Sequence, residues 1–383
     1  MDSSQRIIFV SCIHAFGGVE RLILALSRFL HQHALPHTVV CFSDTIGFQT
    51  YANWPMPVIV LKCKRNPLSE GYALYHYLRA AQAAGSLPPL LFDLKGAFYA
   101  GLFPVIPMHL HLTDPPSLLP SELSKFAYSL RHLGKQPRIS LAKMLRGEIT
   151  HRINKRGASN ARSVIAMTHS IANELHNLYS LDCTIIRPGI KVPASLQKRN
   201  GPTNGQMHLL SVCRLEQNKR IDWMLRAFAA LELTNSPLSD KIDWVLNVVG
   251  DGSQRETLQH LAVNLDIAER VVFHGRISDA KVDDLFAKAS LFLMPAAQGY
   301  GLPALEALAR GIAVVLHKES GVSEILKDNL WVEIIEDGYA DLAASIKIMV
   351  DRICSHVLVD SPLPEFPSDT EWANNLCMEC NWV

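Results

Sequence analysis

The sequence predicts an α/β protein with two doubly wound parallel sheets, and three observations carry that reading. The chain has 383 residues, more than a single hydrophobic core usually serves. Short β-branched runs alternate with helical patterns along most of its length. The alternation is interrupted once, by the polar stretch KVPASLQKRNGPTNGQ at 191–206, and then restarts. The expected domains are 1–192 and 207–365, with a linker at 193–206. Residues 366–383 form a short tail expected to return to the first domain.

In the first half, RIIFVS (Arg6–Ser11) reads as a strand. The helical pattern VERLILALSRFLHQH follows, with Leu22, Ala25, Leu26 and Phe29 on one face. His37–Phe42, Val58–Leu61, Leu90–Phe92, Val105–Leu112, Val164–Met167 and Cys183–Ile186 continue the strands. The second half is more regular. Strands are expected at Leu209–Cys213, Trp244–Val249, Val271–His274, Leu291–Met294 and Ala313–Leu316, each followed by a helix. Ligands of such sheets lie beyond the carboxyl ends of the strands.

Hydrophobic residues make up 48 % of the chain and charged residues 19 %, the balance of a folded enzyme rather than a disordered chain. A net charge of +1 gives no general attraction to nucleic acid. The N-terminal apolar run is too short for a signal peptide. The uncharged segment Gly96 to Leu112 is 17 residues with two prolines, shorter than the ~20 residues of a spanning helix. It reads as buried sheet and loop. Eight cysteines without a regular frame suit reduced thiols and a cytoplasmic setting. Cys377 and Cys380 form a C-x-x-C with no second ligand pair, a weak metal or redox signal.

The second-half strand ends carry groups suited to a phosphorylated ligand. The first runs into Arg214, with Lys219 five residues on, two cations able to hold a diphosphate. Another ends in Gly250-Asp251-Gly252, where backbone can approach something closely. A third ends in His274-Gly275-Arg276. After LFLMP, the stretch AAQGYG turns into the helix LPALEALARG, with Pro303 in its first turn. Gly299 and Gly301 are expected to leave backbone N–H groups uncovered for phosphate. Glu306, read in about the first turn, would repel phosphate, so a diol such as ribose is its better partner. A helix-dipole role is the plainer alternative for Glu306.

Together these stretches resemble the retaining glycosyltransferases of family 4. The likeness runs from GGVERLILALSRFL through VCRLEQNKRIDWMLRAF, VVGDGSQRETL, VVFHGRISD and LFLMPAAQGYGLPALEALARG to GVSEIL. It implies the GT-B architecture, two Rossmann-like domains facing across a cleft. It also implies a nucleotide-diphosphate sugar, UDP- or GDP-linked, as donor substrate, with no cofactor. By this resemblance Arg214 and Lys219 grip the diphosphate and Glu306 binds the ribose. Gly299, Tyr300, Gly301 and Leu302 form the loop that meets sugar and phosphate, and Gly275 and Arg276 a turn on the base. Gly17 and Gly18 match glycines that close over the donor. His111 matches a histidine near the sugar, with His109 its competitor.

The resemblance further implies front-face transfer with retention, the leaving phosphate taking the acceptor's proton. No metal is expected, and no Asp-x-Asp cluster is present to hold one. Most of the family has Glu where this chain has Gln298. The amide keeps an acceptor, adds two donors and loses the charge. It implies altered rate or donor preference, including tolerance of an acidic sugar.

Residues 125–162 hold ten Lys or Arg against the single Glu148, a local charge of +9. Leu130, Leu133, Ile139, Leu141, Met144, Leu145 and Ile149 are interleaved. This reads as a contact for an anionic membrane, at the inner face of the cytoplasmic membrane, or else as an ordinary solvated helix. A glycan or lipid-linked acceptor of lipopolysaccharide or surface-polysaccharide type follows, with no nucleic-acid partner. A nicotinamide dehydrogenase is disfavoured because no G-x-G-x-x-G follows the first strand. A GT-B-type epimerase or phosphorylase, and a catalytically weakened relative acting as a partner subunit, remain as alternatives. The proline-rich C-terminus departs from the family's long closing helix.

Overall fold

The computed structural model describes residues 4–104, 106–118, 141–191, 206–233 and 243–383. The linker at 193–205, and Lys125, Arg131, Lys135 and Arg138 of the basic stretch, lie outside the described residues. The chain divides into two compact units, one of residues 1–189 with 367–383, the other of residues 190–366.

The first unit holds a seven-stranded sheet, all parallel, in the order β3-β2-β1-β4-β5-β6-β7. Its strands are β1 (Arg6–Phe9), β2 (His37–Cys41), β3 (Val58–Val60), β4 (Leu90–Phe92), β5 (His109–Leu112), β6 (Ser163–Ala166) and β7 (Thr184–Ile185). Strands β1, β2, β4 and β5 are buried throughout, as a parallel sheet covered on both faces requires. At the start of the helix Gly18–Gln32 the Glu20 carboxylate accepts from the Gly17 N–H at 3.0 Å.

The stretch from Gly96 is partly helical, contrary to the expectation of sheet and loop. The helix Asp93–Leu102 crosses the helix Leu141–Ser159 at very short range. A Cβ on Gly101 would sit 2.1 Å from the Ile153 carbonyl oxygen, and one on Gly157 would sit 1.8 Å from that of Ala97. The glycines that read as loop are therefore there to let two helix backbones touch.

The C-terminal residues form the helix Asp369–Glu379, capped by Ser368 and packed on the helix Gly18–Gln32. The prolines precede it and do not break it. Arg28 pairs with Asp369 at 3.0 Å. Arg6, 1 % exposed, donates from Nε and Nη2 to the Trp382 carbonyl, and the Trp382 indole donates to the Pro88 carbonyl at 3.1 Å. A buried guanidinium needs such acceptors, because an unpaired one costs several kcal/mol. Cys377 and Cys380 are free thiols buried in this helix, and burial pushes Cys377 up to about 12. They are core residues.

The second unit holds a six-stranded parallel sheet in the order β10-β9-β8-β11-β12-β13. The strands are β8 (Gln206–Val212), β9 (Asp243–Val249), β10 (Val271–Gly275), β11 (Leu291–Met294), β12 (Ala313–His317) and β13 (Val332–Ile335). Chain order runs outward from β8 in one direction and from β11 in the other. The strand order thus reverses between β8 and β11, which opens a crevice at their carboxyl ends. No described helix is long and apolar enough to cross a membrane.

Trp382→Ala empties a buried site on β1's side of the first sheet and removes the Pro88 bond. It is expected to destabilise the first unit by about 3–5 kcal/mol, read from denaturant unfolding.

Candidate donor site at the strand-order reversal

The site is built from loops at the carboxyl ends of β8, β9, β11 and β12. The loop after β8 is held by the Gly250-Asp251-Gly252 turn after β9. A Cβ on Gly250 would lie 1.9 Å from the Cys213 carbonyl oxygen, and Gly250 has φ of +129°. The Leu215 N–H donates to the Asp251 carbonyl at 3.0 Å, and the Gln254 N–H returns to Leu215 at 3.0 Å. The close approach anticipated for this turn is thus to the backbone carrying Arg214. Glu216 accepts from the Ser253 hydroxyl at 2.7 Å, and that bond lowers its carboxyl below the usual range.

Arg214 projects as an exposed cation at this loop. Lys219, half-buried in a short 3-10 turn, donates from Nζ to Gln298 Oε1 at 2.6 Å. Asn218 exchanges two bonds with Ala297, its backbone carbonyl accepting from the Ala297 N–H and its amide donating to the Ala297 carbonyl, each at 2.9 Å. The loops after β8 and β11 are therefore stitched together at 218–219 and 297–298.

The β12 loop closes the same knot. Gln298 and Ser320 form a parallel bridge. The Gln298 N–H donates to Glu319, and the Tyr300 carbonyl accepts from the Ser320 hydroxyl and the Val322 N–H, each at 2.9 Å. Arg220 pairs with Glu319 and lies 4.5 Å from the centre of the Trp223 ring. His317, at the end of β12, accepts on Nδ1 from the Glu319 N–H at 3.1 Å. Burial first, then Arg220, lowers its basicity.

The turn into the next helix is tight. Gly301 has φ of +125°, and a Cβ there would lie 2.7 Å from Met294 Cε, 2.8 Å from Gln298 Nε2 and 2.9 Å from Ser320 Oγ. Gly299 and Tyr300 are buried, and Gly301, the other glycine expected to leave its N–H uncovered, is half-buried. Leu302 opens the helix Leu302–Leu308, with Pro303 in its first turn. Glu306 is the fifth residue of that helix, past the first turn where it was expected, and is half-buried.

Gly275 ends β10 with φ of +68°, and its carbonyl accepts from the Gly250 N–H at 2.9 Å. Arg276 beyond it is exposed. Gly17, Gly18 and His111 belong to the first unit. The Gly17 N–H is committed to Glu20, while Gly18 is exposed.

His111 is not after its strand but inside β5. It is 0 % exposed, 5.0 Å from Phe92 and 6.0 Å from Trp372 by ring centre, and neither ring nitrogen has a hydrogen-bond partner. Burial lowers its basicity to about 4. His109 is buried as well, bonded to the Ser163 hydroxyl at 2.7 Å and likewise lowered to about 4. Both are core histidines, so the ligand-facing role carried over to His111 is corrected. At that edge of the first sheet lie half-buried Asp93 and buried Thr113. Asp93 follows β4 in a left-handed conformation with φ of +62°, and accepts from the Thr113 N–H and hydroxyl. Burial, with Asp114 nearby, pushes its carboxyl up to about 6.

Sequence reasoning found the cations, Gln298 and the glycines. It missed Asn218, Arg220, Met294, Glu319 and Ser320, which act through contacts between distant loops. The only local signal was the run HKESGVSE following a buried strand. Among the described residues, no group of three or more His, Cys, Asp or Glu is placed to hold a metal ion.

The comparisons with known proteins agree with this architecture. Residues 194–352 match the family model of glycosyl transferases group 1. The two parallel α/β sheets are those of the GT-B glycosyltransferases. The sequence relatives bear synthase and glycosyltransferase names. The chain is 32 % identical over 164 residues to alpha-monoglucosyldiacylglycerol synthase of Streptococcus pneumoniae, covering 42 % of this chain and 35 % of that one. It is 29 % identical over 197 residues to D-inositol 3-phosphate glycosyltransferase of Streptomyces griseus, covering 44 % and 41 %. The chain thus spans well under half the length of these relatives. Solved structures match over nearly the whole chain. The lipopolysaccharide outer core galactosyltransferase WaaB aligns with a TM-score of 0.66 at 15 % identity, covering 98 % of each chain. Anabaena HepE in complex with UDP and glucose aligns with a TM-score of 0.70 at 15 % identity, covering 98 % and 99 %. At these identities the likeness is one of fold.

Two outcomes are expected here. Gly301→Ala forces a left-handed alanine against three side chains, and should lower the second unit's unfolding midpoint by several degrees, reflecting about 1–3 kcal/mol. For His111, with a folded value of about 4 against 6.5 unfolded, the penalty is absent above pH 6.5. It grows as pH falls and is complete below about 4. Its slope is about 1.4 kcal/mol per pH unit. His111→Leu should therefore raise stability more at pH 5 than at pH 8, measured by unfolding at both.

Proposed function

We propose that the chain transfers a sugar from a nucleoside-diphosphate sugar to a glycan or lipid-linked acceptor, and that the donor's diphosphate is gripped by Arg214 and Lys219. The observation that carries this is the placement of both cations, with Gln298 and the Gly299–Gly301 turn, at the strand-order reversal between β8 and β11. A crevice of this kind is where doubly wound sheets bind nucleotides. The fold relative HepE is solved with UDP, which supports a nucleotide ligand, and a UDP- or GDP-linked donor is the reading we adopt. Glu306 serves the ribose, with Gly275 and Arg276 beside the base.

The chemistry we assign is front-face transfer with retention. The bond from the sugar's anomeric carbon to the phosphate oxygen breaks, and the acceptor oxygen bonds the same face. The acceptor's proton passes to the departing phosphate. Arg214 and Lys219 stabilise the negative charge that grows there, so the protein supplies placement and electrostatics rather than a nucleophile or a metal.

The acceptor reading draws on the lipid and lipopolysaccharide substrates named for the relatives and on one helix of this chain. On the helix Leu141–Ser159, Leu145 is 63 % exposed and Ile149 51 % exposed. Arg146, Arg152, Lys155 and Arg156 are exposed beside them. Cations around protruding apolar side chains suit the anionic inner surface of the cytoplasmic membrane. The catalytically weakened alternative rests on Gln298 standing at the position of a family carboxylate.

The test is turnover. Purified protein with UDP-, GDP- and ADP-sugars and membrane lipid extract should release one nucleoside diphosphate, with the product's anomeric configuration matching the donor's by NMR. Arg214→Ala should lower the rate about 100-fold or more. Inverted product would exclude front-face retention, and nucleotide binding without turnover would favour the weakened relative. Flotation with phosphatidylglycerol vesicles but not phosphatidylcholine vesicles, lost in high salt, is expected if the helix meets the membrane.

A further inference from the structure

The groups around Gln298 suit an amide and exclude a carboxylate of the same shape. Oε1 accepts from Lys219 Nζ at 2.6 Å. Nε2 lies 3.2 Å from Ser320 Oγ and 2.9 Å from Met294 Sδ. The Ser320 hydroxyl has one proton, and donates it to the Tyr300 carbonyl at 2.9 Å. Toward residue 298 it can therefore only accept. A thioether sulfur also accepts and never donates. That side of the pocket asks for N–H groups, while the opposite side asks for an oxygen facing the ammonium. The same constraints fix which way round the amide sits. The absent Gly301 side chain leaves the amide its only space, since a Cβ there would lie 2.8 Å from Nε2.

Donors and acceptors thus run one way, from Lys219 through Gln298 and Ser320 to the Tyr300 backbone. This chain joins the loops after β8, β11 and β12.

We propose that Gln298 is an amide-specific positioning residue, tying Lys219 to the Gly299–Gly301 turn through Ser320, so that glutamate at this position would weaken the donor site rather than restore it. The inference rests on the donor reading above. It assigns Gln298 a role exerted through Lys219, not a contact with the reacting atoms. A carboxylate at 298 sets an oxygen against Ser320 Oγ and Met294 Sδ. Ser320 then has to abandon Tyr300, or the side chain has to leave Lys219. Either way the ammonium and the turn are no longer held in register.

The experiment titrates UDP, GDP and ADP into the full chain for wild type, Gln298→Glu, Lys219→Ala and the double variant, with unfolding midpoints recorded for each. Gln298→Glu should weaken the bound nucleotide at least tenfold with a midpoint within a few degrees of wild type. Lys219→Ala should lose at least as much, and the double variant should bind no worse than Lys219→Ala alone, because Gln298 acts through Lys219. Binding by Gln298→Glu as tight as wild type, or losses that add in the double variant, would overturn the proposal. If the wild type binds none of the three nucleotides, the donor reading fails and the network is still tested without ligand. Gln298→Leu and Ser320→Ala should then each lower the unfolding midpoint, and together lower it by less than their sum. Additive shifts would sink the network as well.

Discussion

The hydrogen bond from Lys219 to Gln298 is the contact on which the second unit's working edge depends. In a parallel doubly wound sheet every carboxyl-end loop emerges on one edge, and where the strand order reverses the two neighbouring loops diverge. Left to themselves, the loops after β8 and β11 would spread a cation and a turn apart. Lys219 with Gln298, and Asn218 with Ala297, hold them together. The turn after β9 supports this arrangement from one side, its glycines pressed on the Cys213–Leu215 backbone, and the Glu319–Ser320 loop supports it from the other. Placing charge in advance is what a diphosphate-binding site needs, because the cations then pay no reorganisation when negative charge develops on the leaving group.

The first unit follows a different logic. Its sheet is tied to the C-terminal segment by Arg6 and the Trp382 carbonyl, and its helix Gly18–Gln32 is tied to the C-terminal helix by Arg28 and Asp369. That helix also covers β5, where His111 lies 6.0 Å from Trp372. The two histidines of β5 are neutral core residues whose burial makes the unit acid-sensitive. Beyond β4 and β5 the half-buried, strained Asp93 bonds to buried Thr113.

Much of this was legible in the sequence. Five of the second unit's six strands were plain as short apolar runs, and the endings of β8, β9, β10 and β11 in Arg, Gly or Pro are what mark the site, while the edge strand β13, Val332–Ile335, was not expected. Arg214, Lys219, Gln298 and Gly301 could be picked out for the same reason: they sit where a strand stops. Other features depend on tertiary contact and left no local trace. The helix Asp93–Leu102 looked like loop because its glycines weaken a helix pattern, yet Gly101 serves the helix crossing and Gly96 a close approach to Leu91 of β4. His111 looked like a ligand residue because alternation in HLHL cannot say which face a covering helix will bury. Ser320 and Met294 carry no motif, and their meaning appears only when β11 and the β12 loop are brought side by side.

The central claim is that a nucleoside diphosphate lies where β8 and β11 part. Hydrogen–deuterium exchange of the full chain, with and without a saturating nucleoside diphosphate, locates that ligand directly. The account predicts slowed exchange in the backbone of 213–219, 250–254 and 298–304, with the far, amino-terminal ends of β8 and β11 unchanged. Protection confined to other segments, or no protection with any of UDP, GDP and ADP, would contradict it.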